Sequence, residues 1–419
     1  MGMSMRALSD SRAMRRGQVV AVAVAVVICL AIRLFFLLTT HGRADVDIFH
    51  GFARAIEQFG PIRVYEQPLH GLPVYNHPPL AGWMLLGMSE LERMGIPFLV
   101  LIRLPATLAD AVSVVLVFEI VRQRARVHTA VVCAWTVALS PILVCVSGYH
   151  GNTDPVAVMF ALAAAYLLAD RKRPLAAGLV AALSVSVKFI PVVAIPVLLV
   201  VAARGGQRVL VRFSAGLAGL MTLVWGPVLL TVPGALKDNV LNYEGSRYRL
   251  WGLIRFADWL DVPEPAIAFA KGPGHLLFVL LCVAVGVWLA WLRPDGAPVV
   301  VGLTLALLLL LSTASGAHYL SWAVVGLCVS GMWAGLAYNA VVGVVAYLAY
   351  TGGSIVIWSR ETLLLGAFGW AVLAAGIASG MYRLLIRPGA TAGNHLQALT
   401  KIGAPRSERA SELADHSAK

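Results

Sequence analysis

Charge is what this sequence has least of. Asp, Glu, Lys and Arg make up 13% of its 419 residues, about half the roughly 25% of an average globular chain. A water-soluble fold needs that charge to solvate its exterior, so a soluble enzyme is excluded, as are a disordered chain and a coiled coil. Cysteine is scarce too. Cys29, Cys133, Cys145, Cys282 and Cys328 all lie within apolar runs and form no CxxC pair, so they read as small core residues rather than disulfide or metal partners. No Walker A loop, no glycine-rich strand-to-helix turn, no HExxH and no recognisable Ser-His-Asp arrangement occurs. An internal repeat is also missing.

What is present is apolar: 59% of the chain, in runs too long and continuous for the alternating strands of an outer-membrane barrel. The composition predicts an all-α polytopic membrane protein. Twelve apolar segments stand out, at about 19–39, 98–121, 129–147, 155–169, 175–187, 190–203, 209–232, 275–292, 297–314, 319–337, 340–357 and 362–385. The first is long enough to span a bilayer core of ~30 Å and lacks a small-residue cleavage site, so it is expected to be a retained helix. The pair 175–187 and 190–203 is short and carries Lys188-Phe-Ile-Pro191 at its middle; it reads as two helices that rise to one face, expose Lys188 there and return. The net charge of +12 reads as topology rather than nucleic-acid binding. The short loops 122–128, 170–174 and 204–212 hold nine basic residues in 21 positions, whereas the long loops 41–97 and 233–274 hold nine in 99. The short loops are therefore expected in the cytoplasm, with the segment 1–18 and a polar, disordered tail 388–419. Both long loops then face outward.

The same outer face collects most of the unusual polar residues, and polar groups at membrane depth are retained mostly for function. Arg43-Ala-Asp45-Val-Asp47-Ile-Phe-His50 follows the first helix. Its paired carboxylates suit a general base, a metal-ligand pair or a helix N-cap. Tyr75-Asn-His77-Pro78-Pro79 leads into a short helix at 80–91, expected to lie along the interface with Trp83 as anchor. Arg103 and Asp110, seven apart on one helix face, are expected to pair or to cap neighbouring helices. His150-Gly-Asn152-Thr-Asp154-Pro155 joins two spans, where Asp154 fits an N-cap and His150 is left over. Lys188 can snorkel, or bind a phosphate as a point charge. Tyr243, Arg247, Arg249 and Trp251 interleave cations with aromatics, which suits a phosphate or a sugar face as well as an interfacial belt. Gly316-Ala-His318-Tyr319-Leu-Ser-Trp322 opens a later span. Without a nucleotide loop, the energy for a reaction on the outer face must come from an activated donor already in the membrane, a need that lipid-linked sugars meet.

Asp45-Val-Asp47-Ile-Phe, then Tyr65-Glu, then Tyr75-Asn-His-Pro-Pro-Leu-Ala-Gly-Trp83 resembles the first outer loop of the GT-C superfamily, membrane glycosyltransferases that use polyprenyl-phosphate sugars. The pattern is similar to the GPI mannosyltransferase I type, with His318 standing where that type has Gln in its Gln-Tyr-Phe-Leu-Trp motif. Arg103 to Asp110, the His150–Asp154 turn and Tyr243 to Gly252 look like bacterial members of the wider group. The resemblance implies a GT-C-like bundle of about 12 transmembrane helices over 19–387, with interfacial helices in a large first outer loop. It further implies metal-independent, inverting transfer of a hexose, mannose favoured, with a loop aspartate as base: Asp45, or second Asp47. The donor phosphate would fall to Lys188 with Arg247 or Arg249, and substrate contacts to His50, Tyr75, His77, His150, Asp154, Tyr243 and His318. The expected partners are a polyprenyl-phosphate sugar, a lipid-linked or glycan acceptor and membrane lipids, in a bacterial inner membrane, with no cofactor and no nucleic acid. A polytopic lipid or solute transporter is the competing class, but it would show inverted repeats with broken helices in both halves, and only 175–203 looks broken.

Overall fold

The computed structural model describes residues 2–242, 251–352 and 360–386. Among them there is no strand. Eight helices are long and apolar enough to cross a membrane: Gly17–Thr39, Phe98–Arg122, Val127–His150, Gln207–Thr231, Pro273–Leu292, Pro294–Leu311, Met332–Thr351 and Thr362–Ile386. Four shorter apolar helices, Asp154–Ala169, Pro174–Val187, Ile190–Arg204 and Ala317–Ser330, complete the set. The protein is an all-α polytopic membrane protein. Its first helix runs back to Gly2 and so takes in the expected segment 1–18; the expected tail 388–419 lies outside the described residues.

The helices divide into an inner and an outer set. Pro294–Leu311 and Phe98–Arg122 bury most of their length, while Gly17–Thr39, Gln207–Thr231 and Pro273–Leu292 bury only a minor part of theirs. Large apolar side chains of that outer set, Leu223, Leu230, Leu277 and Trp288 among them, are exposed, as a lipid-facing surface requires. Pro174–Val187 packs on Gln207–Thr231 backbone to backbone: a Cβ on Gly178 would run into the carbonyl of Phe213, and one on Gly216 into that of Leu175. Such close approach is how helices associate where no hydrophobic force drives them together.

Two buried arginines explain how broken backbone survives inside this bundle. Ser140-Pro141 interrupts Val127–His150, because proline has no N–H and clashes with the preceding turn. The carbonyls of Val137 and Ala138 accept from Arg33, at 3.3 and 2.8 Å, that of Val137 also taking the Ser140 N–H, and the Arg33 Nε lies 2.6 Å from Asp110. Arg103 instead turns to the end of the first helix, donating to the carbonyls of Leu37 and Thr40 at 2.9 and 2.8 Å. Arg103 and Asp110 therefore do not pair with each other; each binds a different neighbour.

The first loop folds as Ala44–Arg63 and Pro79–Arg93, joined by the Tyr65–Pro78 segment. Phe49, Phe52, Ile56, Tyr75 and Leu85 from this loop share a core with Ile102, Val185, Trp225 and Val228 from the ends of three apolar helices. Trp83 stays half exposed on the helix surface. The loop thus forms a roof over one end of the bundle. At the other end, Arg124 reaches across three connections, to Asp170 through both oxygens and to the carbonyl of Asp295.

Candidate active site

Helix ends converge under that roof. Asp45 is the second residue of Ala44–Arg63, and its side chain is 40% exposed. Neither it nor Asp47 caps the helix, because the N-cap residue is Arg43 and no side-chain capping bond forms. Residues two apart on a helix point to nearly opposite sides, so only one member of the pair can face the bundle. That member is Asp45. Asp47 is exposed and makes no hydrogen bond or ion pair among the described residues.

His150 arrives from the opposite direction. Val144–His150 is wound one residue per turn wider than an α-helix and ends at Gly151 with φ +83°. Wide turns of this kind recur at functional sites. A Cβ at Gly151 would also strike the Arg103 side chain, so only glycine lets the chain turn here. The turn sets His150 Nε2 2.6 Å from Asp45 Oδ2 and Nδ1 2.6 Å from the Tyr350 hydroxyl.

Asp154 begins the next helix with its carboxylate fully buried, 3.1 Å from Lys188 Nζ. Trp322 Nε1 donates to its second oxygen at 2.9 Å, and His318 Nε2 lies 4.0 Å from that oxygen. Asp154 is not the N-cap expected of it: it follows the N-cap Thr153 as the first helical residue, and Asn152 Oδ1 accepts its N–H at 3.0 Å. Lys188 is held where the backbone breaks into an extended conformation between Pro174–Val187 and Ile190–Val193. It is 15% exposed, so the expectation of an exposed lysine gives way to an inward-turned one. Buried Asp154 compels this, since a lone carboxylate at that depth would be costly. His318 stands edge-on to His150, ring centroids 5.3 Å apart.

His77 adjoins this group from the roof, stacked on Phe49 and flanked by Phe52 and Tyr75. Burial first, and then the nearby Lys188 charge, push its imidazole down to about 3, against the pull of Asp154 and Asp45. Tyr75 is buried, and its hydroxyl has no partner among the described residues. His50 is drawn away: it bonds Glu92 at 3.1 Å and stacks on Phe98, tying the two roof helices together. Tyr243, Arg247 and Arg249 lie outside the described residues. The chain resumes at Trp251, whose N–H donates to Ser315 Oγ at 3.1 Å, three residues before His318. Tyr350, Arg43 and Asn152 complete the group. Tyr350 carried no sequence signal, being a tyrosine at the end of an apolar run.

The arrangement combines an open carboxylate with a sealed one. Burial works against ionisation of Asp45, but the His150 hydrogen bond, with the Lys188 charge nearby, outweighs it and holds the carboxyl below the usual carboxylate range. Asp45 is therefore an anion at neutral pH with an oxygen left to offer. Asp45, His150 and His318 also present atoms within 4.8 Å of one another, a donor set able to hold a divalent ion. Lys188 already supplies a positive charge beside them.

Residues 76–230 match the family described as dolichyl-phosphate-mannose-protein mannosyltransferase. The match includes His77, His150, Asp154 and Lys188 and leaves Asp45 and His318 outside it. No curated protein matches the chain. With the all-helical membrane architecture, this match over part of the chain supports a glycosyltransferase of the GT-C type.

Proposed function

We propose that the protein moves a hexose, mannose favoured, from a polyprenyl-phosphate donor to a lipid-linked or cell-envelope acceptor, with inversion, on the outer face of a bacterial inner membrane. The observation that carries this reading is the half-open Asp45 carboxylate beside the buried Lys188–Asp154 pair, where helix ends meet under the first loop. Support for the orientation comes from charge. The loops 122–128, 170–174 and 204–212, with their nine basic residues, join the far ends of the helices that carry His150, Asp154 and Lys188. Basic short loops favour the cytoplasm, which leaves the site outside.

In the proposed reaction the bond between the anomeric carbon and the phosphate oxygen breaks, and its electron pair leaves with the polyprenyl phosphate. The acceptor hydroxyl attacks from the opposite face, and its proton passes to Asp45. A carboxyl held below its usual range is a weak base, yet a weak base suffices. As the new carbon–oxygen bond forms, the attacking oxygen acquires positive charge and its proton becomes strongly acidic. An anion fixed beside the anomeric carbon also stabilises the positive charge that develops there. Lys188 neutralises Asp154 and faces the leaving phosphate. Because that lysine is already paired, the phosphate needs further cations, and Arg247 and Arg249 would supply them. No metal is required in this scheme.

Purified protein in lipid vesicles, given radiolabelled polyprenyl-phosphate mannose and an envelope lipid extract, is expected to move label into an acceptor. The glucose donor serves as the comparison. Failure with every polyprenyl-phosphate hexose, by protein that is demonstrably folded, would overturn the proposal. Cysteines placed at Gln67 and Gln123 test orientation: an impermeant reagent added outside should label the first and spare the second.

A further inference from the structure

Both nitrogens of His150 are committed. A neutral imidazole has one donor and one acceptor nitrogen, and an ionised carboxylate only accepts. With the imidazole neutral, Nε2 carries the hydrogen that bonds Asp45 Oδ2 and Nδ1 accepts the Tyr350 hydroxyl, each at 2.6 Å. Tyr350 is itself fixed. The Arg43 guanidinium lies over its ring, 5.6 Å from the centroid, and donates to the carbonyls of Ala349 and Tyr350 at 2.8 and 3.1 Å. The residue two before Asp45 and the imidazole bound to Asp45 thus grip the same helix end. His150 has only 9% of its side chain exposed and no free nitrogen to offer a substrate.

We propose that His150 is the positioning residue of Asp45, with Tyr350 setting the imidazole's tautomer, so that one carboxylate oxygen stays engaged and the other is turned to the acceptor hydroxyl. The inference rests on the reading of Asp45 as base and goes beyond it. A 40%-exposed aspartate in a first helical turn has several side-chain rotamers open to it. The Arg43–Tyr350–His150 chain selects one, and a misplacement of about 1 Å at a reacting group can cost about 10²-fold in rate.

The test measures kcat and donor KM for five variants, Asp45→Asn among them, with thermal melting as the control for folding. His150→Phe should lower kcat about 10²-fold while leaving donor KM and melting close to wild type. His150→Gln keeps an N–H for Asp45 and a carbonyl for Tyr350, and should recover most of the loss. Tyr350→Phe should lower kcat by less, and the double variant His150→Phe/Tyr350→Phe no further than His150→Phe alone, because the hydroxyl acts only through the ring. If His150→Phe fails to fold, His150→Gln and Tyr350→Phe still decide the matter: unchanged kcat in Tyr350→Phe, or a kcat in His150→Gln that falls only in step with its melting temperature, overturns the proposal. Wild-type kcat in His150→Phe beside an inactive Asp45→Asn would remove the positioning role and leave the base. An active Asp45→Asn would remove both.

Discussion

Two constellations of buried charge sit in this protein and behave as opposites. Arg33 and Asp110 meet within the bundle at 0% and 1% exposure, 2.6 Å apart. Arg33 spends its remaining donors on the carbonyls of Cys29, Val137 and Ala138. At the helix ends, Asp45, His150, His318, Asp154 and Lys188 also pair with one another, but Asp45 and Lys188 keep 40% and 15% of their side chains open. The first group satisfies a proline-broken helix and then stops. The second satisfies itself only in part and leaves charge facing outward. Burial of charge alone therefore does not mark a site; unspent bonding capacity at an open edge does.

The largest effect should come from breaking the sealed pair. Arg33→Leu strands Asp110 and the carbonyls of the Pro141 break, so a loss of about 3–5 kcal/mol is expected, read as failed expression or a collapsed melting temperature. Arg33→Leu/Asp110→Leu should recover part of that loss, because replacing both charges removes the unpaired one. At the open site the same kind of change should spare the fold. Asp45→Asn is expected to lose about 10²–10⁴-fold in turnover with melting unchanged. A large stability loss in that variant would erase the contrast between the two regions.

Lys188→Ala sharpens the comparison, because its partner Asp154 is as buried as Asp110. Loss of a phosphate contact worth about 1.4 kcal/mol would raise donor KM about tenfold. Lys188→Ala/Asp154→Asn should melt higher than Lys188→Ala, since it relieves the stranded carboxylate, without regaining KM. The smallest effects concern pH and metal. The Asp45 carboxyl lies below the usual range, so it stays ionised as pH falls from 8 to 5, and its protonation should end activity only below about pH 4, the ordinary carboxylate value. The His77 imidazole, pushed down to about 3, is neutral over the same interval and adds no inflection. Chelators should leave turnover unchanged; a loss restored by a divalent cation would recast Asp45, His150 and His318 as a metal site.

The bundle was legible because apolar length is a local property. Each run of about 20 residues reports a span by itself, and Lys188-Phe-Ile-Pro191 announced the break between two short helices. The face on which polar groups gather was also legible, since it follows from where helices end. Partners were not. Asp110 looked toward Arg103, seven residues away on its own helix, yet it binds Arg33, 77 positions distant, because the proline break at Pro141 needed a donor just there. The choice between Asp45 and Asp47 needed the start of Ala44–Arg63, which only then sends one acid inward and the other to solvent.

By itself, then, the sequence determined an all-helical membrane protein, the rough limits of its spans and a short stock of polar residues at helix ends. Those are consequences of chain-local hydropathy, charge and backbone chemistry. Tertiary structure decided which residues of that stock meet. It turned Lys188 inward onto Asp154, drew His50 away to Glu92, and brought Tyr350 through His150 to Asp45. The physical reason is that a hydrogen bond or ion pair in a low-dielectric interior depends on ångström distances between segments far apart in the chain, and those distances exist only once the helices have packed.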